Sequence, residues 1–442
     1  MVHSNLPVID VTLLFAEKSS DPASEDLQTL IKRFDEAFCK YGACVCVGHS
    51  ISNALVNNLT AQTKEWFETQ DQASKAEYSY GYYGNPQGGY SAVGLEAVAA
   101  SIEGKSAKGK VDAVESFVFN GVPSLFVKPG EVAPNSACPL FSSADEYVAK
   151  VTQLRQCLHR LCCLALGIER EDFFDRTFYN GREHGDALRL AYYPPETGAS
   201  TSAVAGASVA DPAVPLVSPS LRYGAHTDYQ DLTILKPDYD DWLVLPGQEE
   251  AAGAAGAAGA ASPPPASHVA TTGGLQILPR GAPETEASWR AVLLDHDSSD
   301  AELDAPLIIN IGDFWNAWSA DRWRSPVHRV TKEGTLLPLR ALSKAKEAPT
   351  STPTTTPTTV TTASASAAVA VARERQAIVF FSIPKASSMV QPLQGRHIPD
   401  FSTTEPSASA SNSNSSNPYH PAVYTPVCSS EHLATKIARS NV

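Results

Sequence analysis

The sequence predicts an α+β protein: a helical first third, a compact all-β core behind it, and long low-complexity insertions set into loops. Three observations carry this. Apolar residues recur at helical spacing early in the chain, short β runs take over from Ala187, and four stretches differ sharply in composition from their surroundings.

The helices come first. "EDLQTLIKRFDEAF" places Leu27, Leu30, Ile31, Phe34 and Phe38 on one stripe, and "SNALVNNLTAQTKEWFE" reads as a second helix. In "ADEYVAKVTQLRQCLHRLCCLALGI", Tyr147, Val151, Leu154, Leu158 and Leu161 alternate steps of four and three, which predicts a long helix with one buried face. His159 on that helix reads as structural or solvent-facing. After Ala187 come "ALRLAYY", "LTIL", "LQIL", "AVLL", "PLIINI", "VHRVT" and "AIVFFSI", each bounded by Gly, Pro or Asp, as strands of a sandwich or barrel are.

The four divergent stretches lie near 198–220, 246–272, 343–372 and 402–417. Tracts such as "AAGAAGAAGAASPPPAS" and "TPTTTPTTVTTASASAAVAVA" hold too few large apolar groups to offset their ordering entropy. They read as insertions in surface loops, where added length costs little.

The chain has 442 residues, 43% of them hydrophobic and 19% charged, enough for a sizeable core. A net charge of −14 with no Lys/Arg block argues against a nucleic-acid or anionic-membrane partner. No segment approaches the apolar length of a membrane span, and "MVHSNLPVIDVTLLF" lacks the basic start of a secretory signal. Eight Cys without framework spacing complete the expectation of a reduced, cytoplasmic protein. Cys44, Cys46 and His49 in "ACVCVGHS" lack a nearby fourth ligand, so that stretch reads as a buried strand.

The chemistry gathers around "YGAHTDYQDLTIL". In a strand, residues i and i+2 share a face, so His226 and Asp228 can reach one point. An imidazole and a carboxylate are two-thirds of the set that holds non-haem Fe(II) on one octahedral face. His328, in a β run after "DRWRSP", is the best third ligand, leaving three positions open. Arg375 opens the last strong β run, and a planar bidentate donor there suits the far carboxylate of an iron-chelating 2-oxo acid. Tyr193 in "AYYPP" could add a hydroxyl, and Arg373 reads as the exposed neighbour of Arg375.

Read together, these residues resemble the Fe(II)- and 2-oxoglutarate-dependent dioxygenases of the isopenicillin N synthase-like group. "LPVIDVTLL", "FDEAFCKYGACVCVGHSIS", "GGYSAVGLEAVA", "KVDAVESFVFNG", "LRLAYYPP", "AHTDYQDLTIL", "GGLQIL", "IINIGDFWNAWSADRWRSPVHRV", "RQAIVFFSIP" and "PVCSSEHLATKIARS" follow in that family's order. The resemblance covers nearly everything outside the insertions. It implies a double-stranded β-helix (jelly-roll) core with flanking helices. In segments, it implies an N-terminal part at 1–135, a long helix region at 140–182, a catalytic jelly-roll at 183–395 carrying three insertions, a low-complexity insert at 402–417, and a C-terminal helix at 420–442.

Carried over residue by residue, the resemblance makes His226, Asp228 and His328 the iron ligands and Arg375 and Tyr193 the 2-oxoglutarate contacts. Two positions depart from the pattern. Ala377 stands where relatives have the Ser of Arg-x-Ser, and Ala191 where many have an Asn. One lost hydrogen bond to a charged carboxylate costs about 1.5–3 kcal/mol if nothing replaces it. "NIGD", Asn310 to Asp313, matches a turn near the site and reads as structural. The implied reaction oxidises a small metabolite with O2, by hydroxylation or desaturation, releasing succinate and CO2, with ascorbate a further cofactor candidate and a monomer the expected state. Tyr90, Tyr229 and Phe381 are the substrate-side candidates. Two other readings stay open: an iron oxidase of the same fold that does not use 2-oxoglutarate, and a non-catalytic small-molecule-binding protein.

Overall fold

A computed structural model describes residues 3–15, 24–78, 89–101, 112–120, 139–180, 184–195, 221–238, 242–243, 268–271, 274–292, 294–295, 300, 302–331, 336–338, 374–399 and 424–440. The expected insertions at 198–220, 343–372 and 402–417 lie outside the described residues. That near 246–272 does so except for His268–Thr271, which is a strand rather than part of the low-complexity tract.

Among the described residues an eight-stranded sheet and a four-stranded sheet supply most of the β structure. The larger runs Val8–Asp10, Ala43–Val47, Leu307–Ile311, Leu232–Lys236, Arg375–Phe381, Ala187–Tyr193, Glu115–Asn120, Gly89–Ser91, all antiparallel except the first pair. The smaller runs Arg290–Ala291, Gly274–Ile277, His328–Thr331, Leu221–His226. "AVLL" does not form one strand: its ends fall in two short ones, Arg290–Ala291 and Leu294–Asp295.

The three predicted helices span Glu25–Tyr41, Asn53–Thr69 and Pro139–Leu166. Tyr147, Val151, Leu154, Leu158 and Leu161 are fully buried on the long one, as their spacing requires, and Ile31 is half-buried beside the buried Leu27, Leu30, Phe34 and Phe38. Ser52 caps the second helix by accepting from Leu55 N. Gly42 ends the first at φ 65°, where a Cβ would lie 2.5 Å from Arg324 O, so glycine alone fits.

Side chains alternate across each strand of the large sheet. Leu188, Leu190 and Tyr192 join Ile378 and Phe380 in the core shared with the helices. Ala187, Arg189, Ala191 and Tyr193, with Arg375, Ala377, Val379 and Phe381, face the opposite way into a cavity. His159 is not solvent-facing but buried, with Nε2 2.7 Å from Asp231. Asp231 also accepts from Trp315 Nε1, Tyr179 Oη and Ser382 Oγ at 2.5–2.8 Å, so one carboxylate ties the long helix to the barrel.

Candidate metal centre

The strand Leu221–His226 ends at its histidine, so His226 and Asp228 are not on one strand face as the i, i+2 argument supposed. Asp228 lies in the turn beyond and is fixed there by other means. Its backbone carbonyl accepts from Asp313 N at 2.9 Å, and its Oδ2 accepts from Thr233 Oγ1 at 2.6 Å and Asn310 Nδ2 at 2.5 Å. Oδ1 is thereby turned toward the two imidazoles, 3.6 Å from His226 Nε2 and 3.7 Å from His328 Nε2.

His328 is the direct cross-strand partner of His226, and their ring centroids are 4.1 Å apart. Each Nδ1 faces a carbonyl, Gly224 O at 2.9 Å for His226 and Pro326 O at 3.1 Å for His328. A carbonyl can only accept, so Nδ1 carries a proton, and the neutral ring then presents its Nε2 lone pair to the cluster. Among the described residues these three side chains form the one group of His, Cys, Asp and Glu close enough to share a metal ion, their ligand atoms all within 4.8 Å. Two neutral imidazoles and a carboxylate fit a divalent first-row metal with open positions.

The electrostatics agree with that donor set. Burial pushes the Asp228 carboxyl up, yet His328, His226 and the Thr233 hydroxyl hold it well below the usual carboxylate range. Burial, then the neighbouring His226, lowers His328 to about 4, so its ring is neutral near pH 7.

Arg375 and Tyr193 are cross-strand partners, both buried and both lining the cavity that the triad opens into. Burial pushes the Tyr193 phenol up to about 12, so it keeps its proton. Ala377 and Ala191 are cross-strand partners as well. The two departures noted in the sequence are thus one contiguous apolar step on the cavity wall. Tyr229 and Phe381 line the cavity. Tyr90 does not: it is on the helix side of the sheet, its hydroxyl 2.6 Å from Glu115 in a buried cluster with Lys75 and its ring 6.0 Å from Trp66.

The sequence reading missed the positioning role of several residues. Asn310 sits in the strand Leu307–Ile311, not in a turn, and holds Asp228. Thr233 does the same from the next strand. Asp112 accepts from Gly224 N at 2.9 Å and Val98 N at 2.7 Å, fixing the backbone that orients His226. The C-terminal helix Ser429–Ser440 adds Leu433 and Ile437 to the cavity wall and is pinned by Lys436 Nζ, 2.8 Å from Asp313. Side-chain register across strands distant in sequence selects these residues, and a motif cannot show that.

Fold and site together give two packed sheets with a His, Asp, His cluster on the cavity lining, the arrangement of a double-stranded β-helix. The comparisons agree. The family described as "non-haem dioxygenase in morphine synthesis N-terminal" matches residues 6–125. Gibberellin 20 oxidase 1 of Arabidopsis thaliana is 24% identical over 338 residues, covering 75% of this chain and 66% of that protein, just under two thirds of its length. The fold is that of a full-length Neurospora crassa protein solved in complex with alpha-KG and thymine (17% identity, TM-score 0.57, 98% of this chain and 96% of that one). It is also that of JOX2 in complex with 2OG, Fe and JA (19% identity, TM-score 0.51, 89% and 80%). The resemblance to Fe(II)- and 2-oxoglutarate-dependent dioxygenases is borne out.

Proposed function

We propose that the protein is an Fe(II)- and 2-oxoglutarate-dependent dioxygenase that hydroxylates or desaturates a small molecule with O2, releasing succinate and CO2. One observation carries this: His226 Nε2, His328 Nε2 and Asp228 Oδ1 converge on the lining of a cavity whose wall also holds the buried Arg375. The relatives' names and the solved complexes with alpha-KG, 2OG and Fe support it.

In this reading the two imidazoles and Asp228 hold Fe(II), with Thr233, Asn310 and the two carbonyls fixing their aim. Arg375 would hold the far carboxylate of 2-oxoglutarate in a charge-assisted pair, and the neutral Tyr193 hydroxyl would add a donor to it. Iron and 2-oxoglutarate supply the oxygen activation; the chain binds, orients and excludes water. Tyr229 and Phe381 stand on the substrate side. Residues 183–395 are the catalytic jelly-roll, carrying the insertions near 198–220, 246–272 and 343–372, in an isopenicillin N synthase-like arrangement, and the fourth low-complexity stretch, 402–417, follows it.

We further propose a cytoplasmic monomer without nucleic-acid or membrane partners. The charge of −14 supports this, and no described helix is long and apolar enough to cross a membrane. The paired Ala377 and Ala191 favour one rival, an iron oxidase of the same fold that does without 2-oxoglutarate. Turnover separates the two. Aerobic protein with Fe(II), ascorbate and 2-oxoglutarate should form succinate slowly even without substrate, and His226→Ala should abolish it. Iron-dependent O2 consumption without succinate would favour the oxidase.

A further inference from the structure

One of the two cationic groups on the cavity lining, on the reading proposed above, has no part in holding iron or the oxo acid. Arg189 faces the cavity from the same strand as Tyr193, two alternations away. Its Nη2 is 2.9 Å from Glu96 Oε2, and its Nη1 donates to Tyr223 Oη at 3.3 Å. Tyr223 donates to the same Glu96 oxygen at 3.2 Å. The Tyr223 ring meets the His226 ring edge to face, centroids 5.0 Å apart. The Arg189, Glu96 and Tyr223 group therefore stands one aromatic ring away from a proposed iron ligand. Glu96 and Tyr223 occupy only part of a five-donor guanidinium.

The charges of the loaded cavity are already balanced, on the reading proposed above. Fe(II) contributes +2, Asp228 −1, 2-oxoglutarate −2 and Arg375 +1, which sum to zero. Arg189 and Glu96 also cancel. Asp238 on the lining is half-buried and engaged in an interaction of its own, and Lys436 is paired with Asp313. A charged substrate would leave a net buried charge, which is costly in a site walled by Val98, Val118, Phe381, Leu433 and Ile437. A neutral one would not.

We propose that Arg189 is the specificity residue for the primary substrate, and that the substrate is a neutral molecule presenting a carbonyl oxygen to this guanidinium with an apolar body against the apolar lining. Glu96 sets the preference by neutralising Arg189, and Tyr223 holds the pair in register with the metal centre.

The test uses the full chain, loaded anaerobically with Fe(II) and 2-oxoglutarate. The visible band of the Fe(II)–2-oxoglutarate complex is recorded first; if none forms, the functional reading fails and the charge argument fails with it. With the band in place, fragments in matched pairs, such as cyclohexanecarboxamide and cyclohexanecarboxylate, are titrated by ligand-observed NMR, where the paramagnetic iron broadens whatever binds near it. The carboxamides should bind at least tenfold more tightly than their carboxylates. Arg189→Leu should bring the two within about twofold. Glu96→Gln, which leaves the guanidinium uncompensated, should reverse the preference toward carboxylates. Carboxylates binding the wild type as well as carboxamides, an unchanged preference in Glu96→Gln, or no binding in either series would each overturn the proposal.

Discussion

Asp228, a ligand on the reading proposed above, shows how a carboxylate is aimed by residues outside the His, Asp, His cluster. Thr233 and Asn310 both spend their hydrogen bonds on Oδ2, which leaves Oδ1 for the cluster. Removing such partners typically costs 10–100-fold in metal affinity. Thr233→Val and Asn310→Leu should each weaken Fe(II) binding by about tenfold, measured by anaerobic titration, with the fold intact by circular dichroism; unchanged affinity in both would contradict this role. Asp112 sits one step further back. Burial, opposed by the N–H groups of Val98 and Gly224, raises its carboxyl to about 6. The unfolded chain ionises it near ~3.9. Its contribution to stability is therefore present below about pH 4 and lost as pH rises through about 6, an effect on the order of 3 kcal/mol. Asp112→Asn should flatten that slope in denaturant unfolding between pH 4 and 7; an unaltered slope would assign the effect elsewhere. The sequence displayed the metal-ligand residue types openly. It could not show which hydroxyl or amide supports them, because Asn310 and Asp228 are 82 residues apart and meet through register alone.

Among the elements, the strand pair Arg375–Phe381 and Ala187–Tyr193 holds the most consequential departure from the family pattern. Ala377 and Ala191 face one another on the cavity side. Ala377→Ser with Ala191→Asn should restore polar contacts near the carboxylate end and tighten 2-oxoglutarate about tenfold, one hydrogen bond to a charged group being worth about 1.5–3 kcal/mol. Because the positions touch, the double variant should differ from the sum of the singles in a binding cycle. Equal affinity in all four proteins would mean the wall is indifferent to them. The C-terminal helix makes a second case. Lys436 pairs with Asp313, whose backbone N–H donates to the Asp228 carbonyl, so the cavity wall and the ligand turn share an anchor. Lys436→Met should speed hydrogen exchange across Ser429–Ser440 about fivefold, consistent with losing about 1 kcal/mol in a partly exposed pair; exchange at the wild-type rate would remove Lys436 as that anchor. Strands and helices were legible because period and composition agreed. The strand end before Asp228 was not, since it is set by partners on neighbouring strands rather than by the local sequence.

For the whole molecule, the order of a helical front and a β core followed from spacing alone, while the two-sheet pairing had to come from resemblance or structure. No local pattern says that Arg375–Phe381 pairs with Ala187–Tyr193 across nearly two hundred residues. The low-complexity tracts stand out by composition and, His268–Thr271 apart, lie outside the described residues. Trp242–Leu243 and His268–Thr271 pair antiparallel, so the stretch between them connects neighbouring strands, where added length costs little closure entropy. The central claim is that this cavity holds Fe(II) and 2-oxoglutarate together. Its most direct test is anaerobic absorbance: Fe(II), then 2-oxoglutarate, added to the full chain, with Arg375→Leu and His226→Ala in parallel. The account predicts a visible charge-transfer band, weakened in the first variant and absent in the second. Iron binding without any band, or a band untouched by His226→Ala, would contradict it.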